Sequence, residues 1–95
     1  MIVVRGSRKG RQYSFVVADR AVVGRRSDCD CVLAEEIGVD PIHFELIHED
    51  GELFIENLSD RSPTAVEGHP LTGRLRLSSD TLIGAGDCIL RIVFY

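Results

Sequence analysis

The sequence has no tryptophan, and no apolar run approaches the ~18 residues that a membrane-spanning helix needs. No ten-residue stretch keeps a 3.6-residue apolar period, which argues against a helical core. Internal repeats, linkers and low-complexity tracts are missing, so a repeat array is not expected. There is no basic stripe interleaved with aromatics, which argues against nucleic-acid binding. No nucleophile–base pair, phosphate-cradling Gly-rich loop or metal-ligand cluster is visible, so no enzyme activity, cofactor or metal is expected. Cys29, Cys31 and His43 do not read as a zinc site, because structural zinc takes four ligands with Cys-x₂₋₄-Cys spacing. Asp28 and Asp30 do not read as paired catalytic carboxylates, since Asp28 suits a turn. The start, Met1-Ile2-Val3-Val4-Arg5, lacks the basic leader and small-residue cleavage site of a signal peptide and reads as a strand. The three cysteines are an odd number, which points to reduced thiols and a cytoplasmic setting.

What is present suits one globular domain over residues 1–95, with 44% hydrophobic and 27% charged residues. The net charge of −4 is unevenly spread. Up to Arg26 the basic residues dominate, with Asp19 the one acid; from Ser27 to His69 the acids dominate, with Arg61 the one base. Such an acidic stretch either solvates turns or selects basic partners.

The apolar period is two almost everywhere, the mark of strands. Ile2 to Val4, Tyr13 to Val17, Ala21 to Val23, Ile42 to Leu46, Glu52 to Leu58, Leu75 with Leu77, Thr81 to Ile83 and Cys88 to Tyr95 all read this way. Turns are expected at Gly6 to Gly10, at Asp50-Gly51 and at Gly84 to Asp87. Ala34 to Gly38 is expected to form one helical turn at most, and Cys29 and Cys31 to point to opposite faces of a strand. Leu75 and Leu77 are expected to face inward, and the last strand, apolar on both faces, to lie centrally in its sheet. Short strands with Gly-bearing turns imply an all-β, two-sheet β-sandwich.

The most informative stretch is Val22-Val23-Gly24-Arg25-Arg26-Ser27-Asp28, continued by Asp40-Pro41-Ile42-His43. A glycine admits backbone where a Cβ would clash, and the arginine after it carries a planar five-donor fork suited to an oxyanion. Two loops at one edge of a β scaffold are a usual place for recognition.

In order and spacing, these motifs resemble the forkhead-associated (FHA) family over about seventy residues. Gly24-Arg25 stands where that family has Gly-Arg, and Ser27-Asp28-Cys29-Asp30-Cys31-Val32-Leu33 resembles its Ser-Asp-x-Asp run. Asp40-Pro41-Ile42-His43 stands for Ser-Arg-x-His, and Asn57 to Gly68 for the segment containing Asn-Gly-Thr. The resemblance implies an FHA/SMAD-like sandwich of about ten to eleven short strands that recognises threonine-phosphorylated protein partners. It makes Arg25, Arg26, Asp40, Arg61 and Ser62 the candidate phosphopeptide-binding residues, and Gly24, His43, Thr64 and Gly68 scaffold residues. The pocket departs from the family: its serine is Asp40, its arginine Pro41, its asparagine Ser62 and its glycine Pro63. An Asp40 carboxylate repels phosphate, Pro41 removes a guanidinium and an N–H, and Ser62 has no amide. Asp40 is therefore expected to pair with Arg25 and fill the site. Two readings follow, a phosphothreonine-binding module, and a degenerate domain that docks or assembles without phosphate in a larger signalling or secretion protein.

Overall fold

The computed structural model describes residues 1–95 and contains eleven strands and no helix. They are β1 (Ile2–Arg8), β2 (Arg11–Val17), β3 (Arg20–Gly24), β4 (Cys31–Val32), β5 (Phe44–Glu49), β6 (Glu52–Asn57), β7 (Thr64–Val66), β8 (His69–Pro70), β9 (Arg74–Leu77), β10 (Thr81–Ala85) and β11 (Cys88–Phe94). One sheet has the order β2-β1-β11-β10-β7-β8 and the other β4-β3-β5-β6-β9. The short β3–β4 pair is parallel, while the two long hairpins β1–β2 and β5–β6 are antiparallel.

Alternation sorts each strand into an inner and an outer row. In β11, Cys88, Leu90 and Ile92 are buried while Ile89 and Arg91 between them are exposed. The inner rows of both sheets meet in a twenty-residue core that includes Val4, Val23, Phe44, Leu46, Leu53, Ile55, Ile83 and Leu90. Burying each such side chain contributes roughly 1.5–3 kcal/mol. β11 lies between β1 and β10, the central place expected of it.

The register brings the loops together. Phe44 pairs with both Val23 and Asn57, so the end of β3, the start of β5 and the end of β6 lie side by side. Ala85 pairs with Thr64, which places the Gly86-Asp87 turn beside the loop that enters β7.

Several expectations need correction. The first turn is only Lys9-Gly10, at φ 51° and 80°; Gly6 and Ser7 belong to β1. Gly84 and Ala85 likewise belong to β10. Residues 34–38 make turns, within the single helical turn allowed for them. Cys29 lies in a loop before β4, and both Cys29 and Cys31 are buried, so they do not split across a strand. Leu75 faces the same side as its partner Ile55, but β9 is an edge strand and Leu75 remains 43% exposed at the margin. The Asp50-Gly51 turn is as expected, with both residues at positive φ.

Candidate functional site

Gly24 ends β3 in contact with another backbone. A Cβ there would lie 2.2 Å from the Pro41 carbonyl oxygen, so only glycine lets the two strands of loop touch. The contact is sealed by Arg25 N–H donating to Asp40 O at 3.1 Å and Arg26 N–H donating to Pro41 O at 3.2 Å. His43 N–H donates to Val23 O and Leu33 N–H to Gly24 O, which pins the far sides of both loops. The juxtaposition of Gly24-Arg25 with Asp40-Pro41, legible in the sequence, is thus a ladder of backbone hydrogen bonds.

A third loop closes on these two through Asp40. The Ser59 hydroxyl donates to Asp40 Oδ2. The Ser59 Oγ itself accepts from Ser62 N–H at 2.9 Å and Arg61 N–H at 3.3 Å. Ser59 therefore gathers the loop's donors and passes one hydrogen bond to the carboxylate. That bond holds the Asp40 carboxyl below its ordinary pKa against the opposing effect of burial, with help from the charges of His43 and Arg61.

Arg25 does not pair with Asp40. Its Nε donates to the Val39 carbonyl at 2.6 Å, and no carboxylate lies within 4 Å of its guanidinium. The expected ion pair is replaced by the Asp40–Ser59 bond, because the Asp40 side chain turns toward the third loop. Arg26 is engaged within its own loop, with Nε and Nη2 donating to the two oxygens of Asp28 at 3.0 and 2.5 Å. Arg61 is exposed and makes no ion pair; Ser62 contributes its backbone N–H and no side-chain bond.

The scaffold residues have distinct jobs. His43 is fully buried, and its Nδ1 accepts from Asp40 N–H at 3.0 Å. Burial lowers its pKa, although the Asp40 charge and the Ser62 backbone oppose the shift. Its Nε2 has no hydrogen-bond partner. Thr64 is fully buried, and its hydroxyl donates to Asn57 Oδ1 at 2.8 Å. Gly68 forms the tight turn between β7 and β8 with Glu67, both at positive φ. Sequence reasoning missed Ser59 and Asn57, which organise the third loop. Asn57 Nδ2 donates to Ser59 O at 3.0 Å, and Asn57 Oδ1 also accepts from Ser59 N–H. A polar Asn-x-Ser at the end of a strand was the available signal, since both side chains readily bond neighbouring backbone.

A second polar cluster fastens the other half of the 33–43 loop. Glu36 is 2% exposed, yet charged partners surround it. Arg8 Nη1 reaches Oε2 at 2.7 Å, Tyr13 OH donates to Oε1 at 3.0 Å and Arg11 Nη2 lies 3.5 Å from Oε1. Burial alone would raise the Glu36 pKa, but the Arg8 and Tyr13 hydrogen bonds and the two arginine charges carry it below the usual carboxylate value. Alongside, Gly86 packs so tightly on Gly38 that a Cβ would meet the Gly38 carbonyl at 2.3 Å.

A family model described as the cytoplasmic domain of the inner membrane component of the T3SS, the Yop-YscD family, matches residues 2–94. The chain belongs to this family. The description names a cytoplasmic domain, in agreement with the setting read from the cysteines. No curated protein sequence matches this chain. Solved structures resemble it closely in shape. One, from a study of phosphothreonine-dependent FHA domain interactions, has 19% identity and a TM-score of 0.85, covering 99% of this chain and 96% of that one. The FHA domain of the CT664 protein from Chlamydia trachomatis has 20% identity and a TM-score of 0.84, covering 99% and 97%. The FhaA FHA domain, solved in complex with the intracellular domain of Rv3910, has 19% identity and a TM-score of 0.83, covering 97% and 99%. At these identities the likeness establishes the fold: this Yop-YscD domain is an FHA-type sandwich.

Proposed function

We propose that this chain is a protein-docking domain of the T3SS inner membrane component that engages its partner without phosphate. The observation that carries this reading is the Asp40 carboxylate, held in the loop site by the Ser59 hydroxyl. Asp40 stands where the FHA resemblance has a phosphate-holding serine, and the Ser59 hydroxyl is spent on it, with the Arg61 and Ser62 amides spent on Ser59. A phosphate carries about −1.5 to −2 charges. Brought within ~4 Å of a carboxylate at an effective dielectric near 20, it is repelled by about 4 kcal/mol per unit charge pair. Pro41 leaves no guanidinium at the next position, and its carbonyl is turned to Arg26 N–H.

One observation favours the second reading, phosphothreonine recognition through Arg25, Arg26, Arg61 and Ser62. The outer nitrogens of Arg25 have no protein partner, and Arg61 is unpaired. Two arginines could meet a phosphate if Asp40 gave way.

Calorimetric titration separates the two. Peptides are offered with threonine phosphorylated and unphosphorylated, to the wild-type chain, Arg25→Ala and Asp40→Ser. The docking reading expects no preference for phosphate in the wild type and little effect of Arg25→Ala. It also expects Asp40→Ser to gain phosphopeptide binding. Tight phosphate-dependent binding by the wild type, abolished in Arg25→Ala, would establish the second reading instead.

A further inference from the structure

The outer faces of the two sheets treat their charges differently. On the β3-β5-β6-β9 face, arginines sit against glutamates: Arg20 on Glu45 at 3.1 Å, Arg74 near Glu56 and Glu49 at 3.8 and 3.7 Å, and Arg76 near Glu52 at 3.6 Å. On the β2-β1-β11-β10 face, Arg5 of β1 stands directly opposite Arg91 of β11 in register. Like charges directly opposed on one face of a sheet are destabilising. Arg5 has no carboxylate partner and lies over the Tyr95 ring at 5.6 Å. Arg91 is paired only with Asp80, at 3.7 Å and with the carboxylate largely exposed. The other nearby acid, Glu67, spends an oxygen on Leu82 N–H.

Around this pair the face is hollow. Small side chains in the adjoining rows, Ser7 and Ser14, leave an open trough of about 990 Å³ flanked by Arg5, Arg91, Gln12, Leu82 and Ile89. Ile89 is 54% exposed, and Val16 on the same face 67%. The trough is open at β2, a seven-residue strand whose outer edge pairs with no other strand. An extended chain can enter there, since free strand edges accept backbone hydrogen bonds.

We propose that this trough is a second docking surface, and that it takes an extended acidic segment of a partner protein whose carboxylate and apolar residues lie two positions apart, on one face. A carboxylate between Arg5 and Arg91 relieves their mutual repulsion and accepts from two planar donors. Apolar residues two positions to either side of it cover Ile89 and Val16. Charge complementarity commits the occupant, since Arg5 has no acid partner and Arg91 shares only the exposed Asp80 at the rim. The surface lies on the strands, apart from the loop site, and does not depend on the reading of Asp40.

The test is amide chemical-shift mapping of the 95-residue chain with short capped peptides of the pattern Val-Ser-Glu-Ser-Val, with Gln or Lys replacing Glu in two further peptides, and separately with vesicles of anionic phospholipid. The Glu peptide is expected to shift amides of Ser7, Gln12, Ser14, Leu82 and Ile89, and the Gln and Lys peptides to leave them still. Both arginines are exposed, so Arg5→Glu/Arg91→Glu keeps the fold. It is expected to weaken the Glu peptide by ~tenfold or more and to gain the Lys peptide. Equal shifts from the Glu and Gln peptides, shifts confined to the 25–26 and 59–62 loops, or binding to vesicles without binding to the Glu peptide would each overturn the proposal.

Discussion

Glu36 and Asp40 sit on the same loop, four positions apart, and are satisfied in opposite ways. Glu36 is closed off from solvent and held by Arg8, Arg11 and Tyr13, so its charge is matched by charge. Asp40 is held by the neutral hydroxyl of Ser59, while Arg25, one backbone hydrogen bond away, is left without an acid. The arginines that neutralise Glu36, Arg8 and Arg11, are therefore not among the candidate residues of the FHA-type pocket. The first carboxylate ties the loop to the sheet containing β1 and β2. The second closes the pocket without quenching its arginine. One is architecture, and the other decides what the site can accept.

That contrast predicts unequal consequences. Glu36→Ala leaves Arg8 with only the exposed Asp87 at 3.3 Å and strands the Tyr13 hydroxyl, and losing one side of a buried ion pair costs about 3 kcal/mol or more. Chemical denaturation should show that loss; a change below about 1 kcal/mol would mean the cluster is decoration. Acidification should act in two stages. Folding lowers the pKa of His43 from an ordinary value of 6.5, so the unfolded chain takes up the proton more readily. Stability is then full above that value and declines as pH falls through it toward the folded pKa. A further decline follows below the ordinary carboxylate range, because folding also lowers the pKa values of Glu36 and Asp40. Denaturation midpoints followed against pH should show the upper stage vanish in His43→Asn while the lower one stays. If both persist, the upper stage belongs to another group. The smallest effect is expected at Leu75→Asp. Leu75 is 43% exposed on an edge strand, so the aspartate keeps its water and costs little. Unfolding of that variant would show that β9 is covered in solution.

Legibility in the sequence followed the range of the interactions. The strands were readable because alternation is local, and the Asp50-Gly51 turn because its backbone demands those residue types. Gly24 with Asp40-Pro41 was readable through a family resemblance whose motifs mark a close backbone approach. The burial of Glu36 was not readable, since its partners Arg8 and Tyr13 lie 28 and 23 positions away and nothing local marks it. Leu75 misled because alternation gives the side a residue faces and not whether its strand is at an edge. The Asp40–Arg25 pair was expected from charge alone. The Ser59 hydroxyl prevailed because Asn57 and the Arg61 and Ser62 amides hold it in place.

The central claim is that Ser59 fastens the Asp40 carboxylate inside the loop site. The most direct measurement is the NMR titration of the Asp40 side chain in the wild type and in Ser59→Ala. The account predicts that Asp40 titrates below its ordinary value in the wild type and moves up toward it in Ser59→Ala. An ordinary titration in the wild type, or one unmoved by the loss of the hydroxyl, would contradict it.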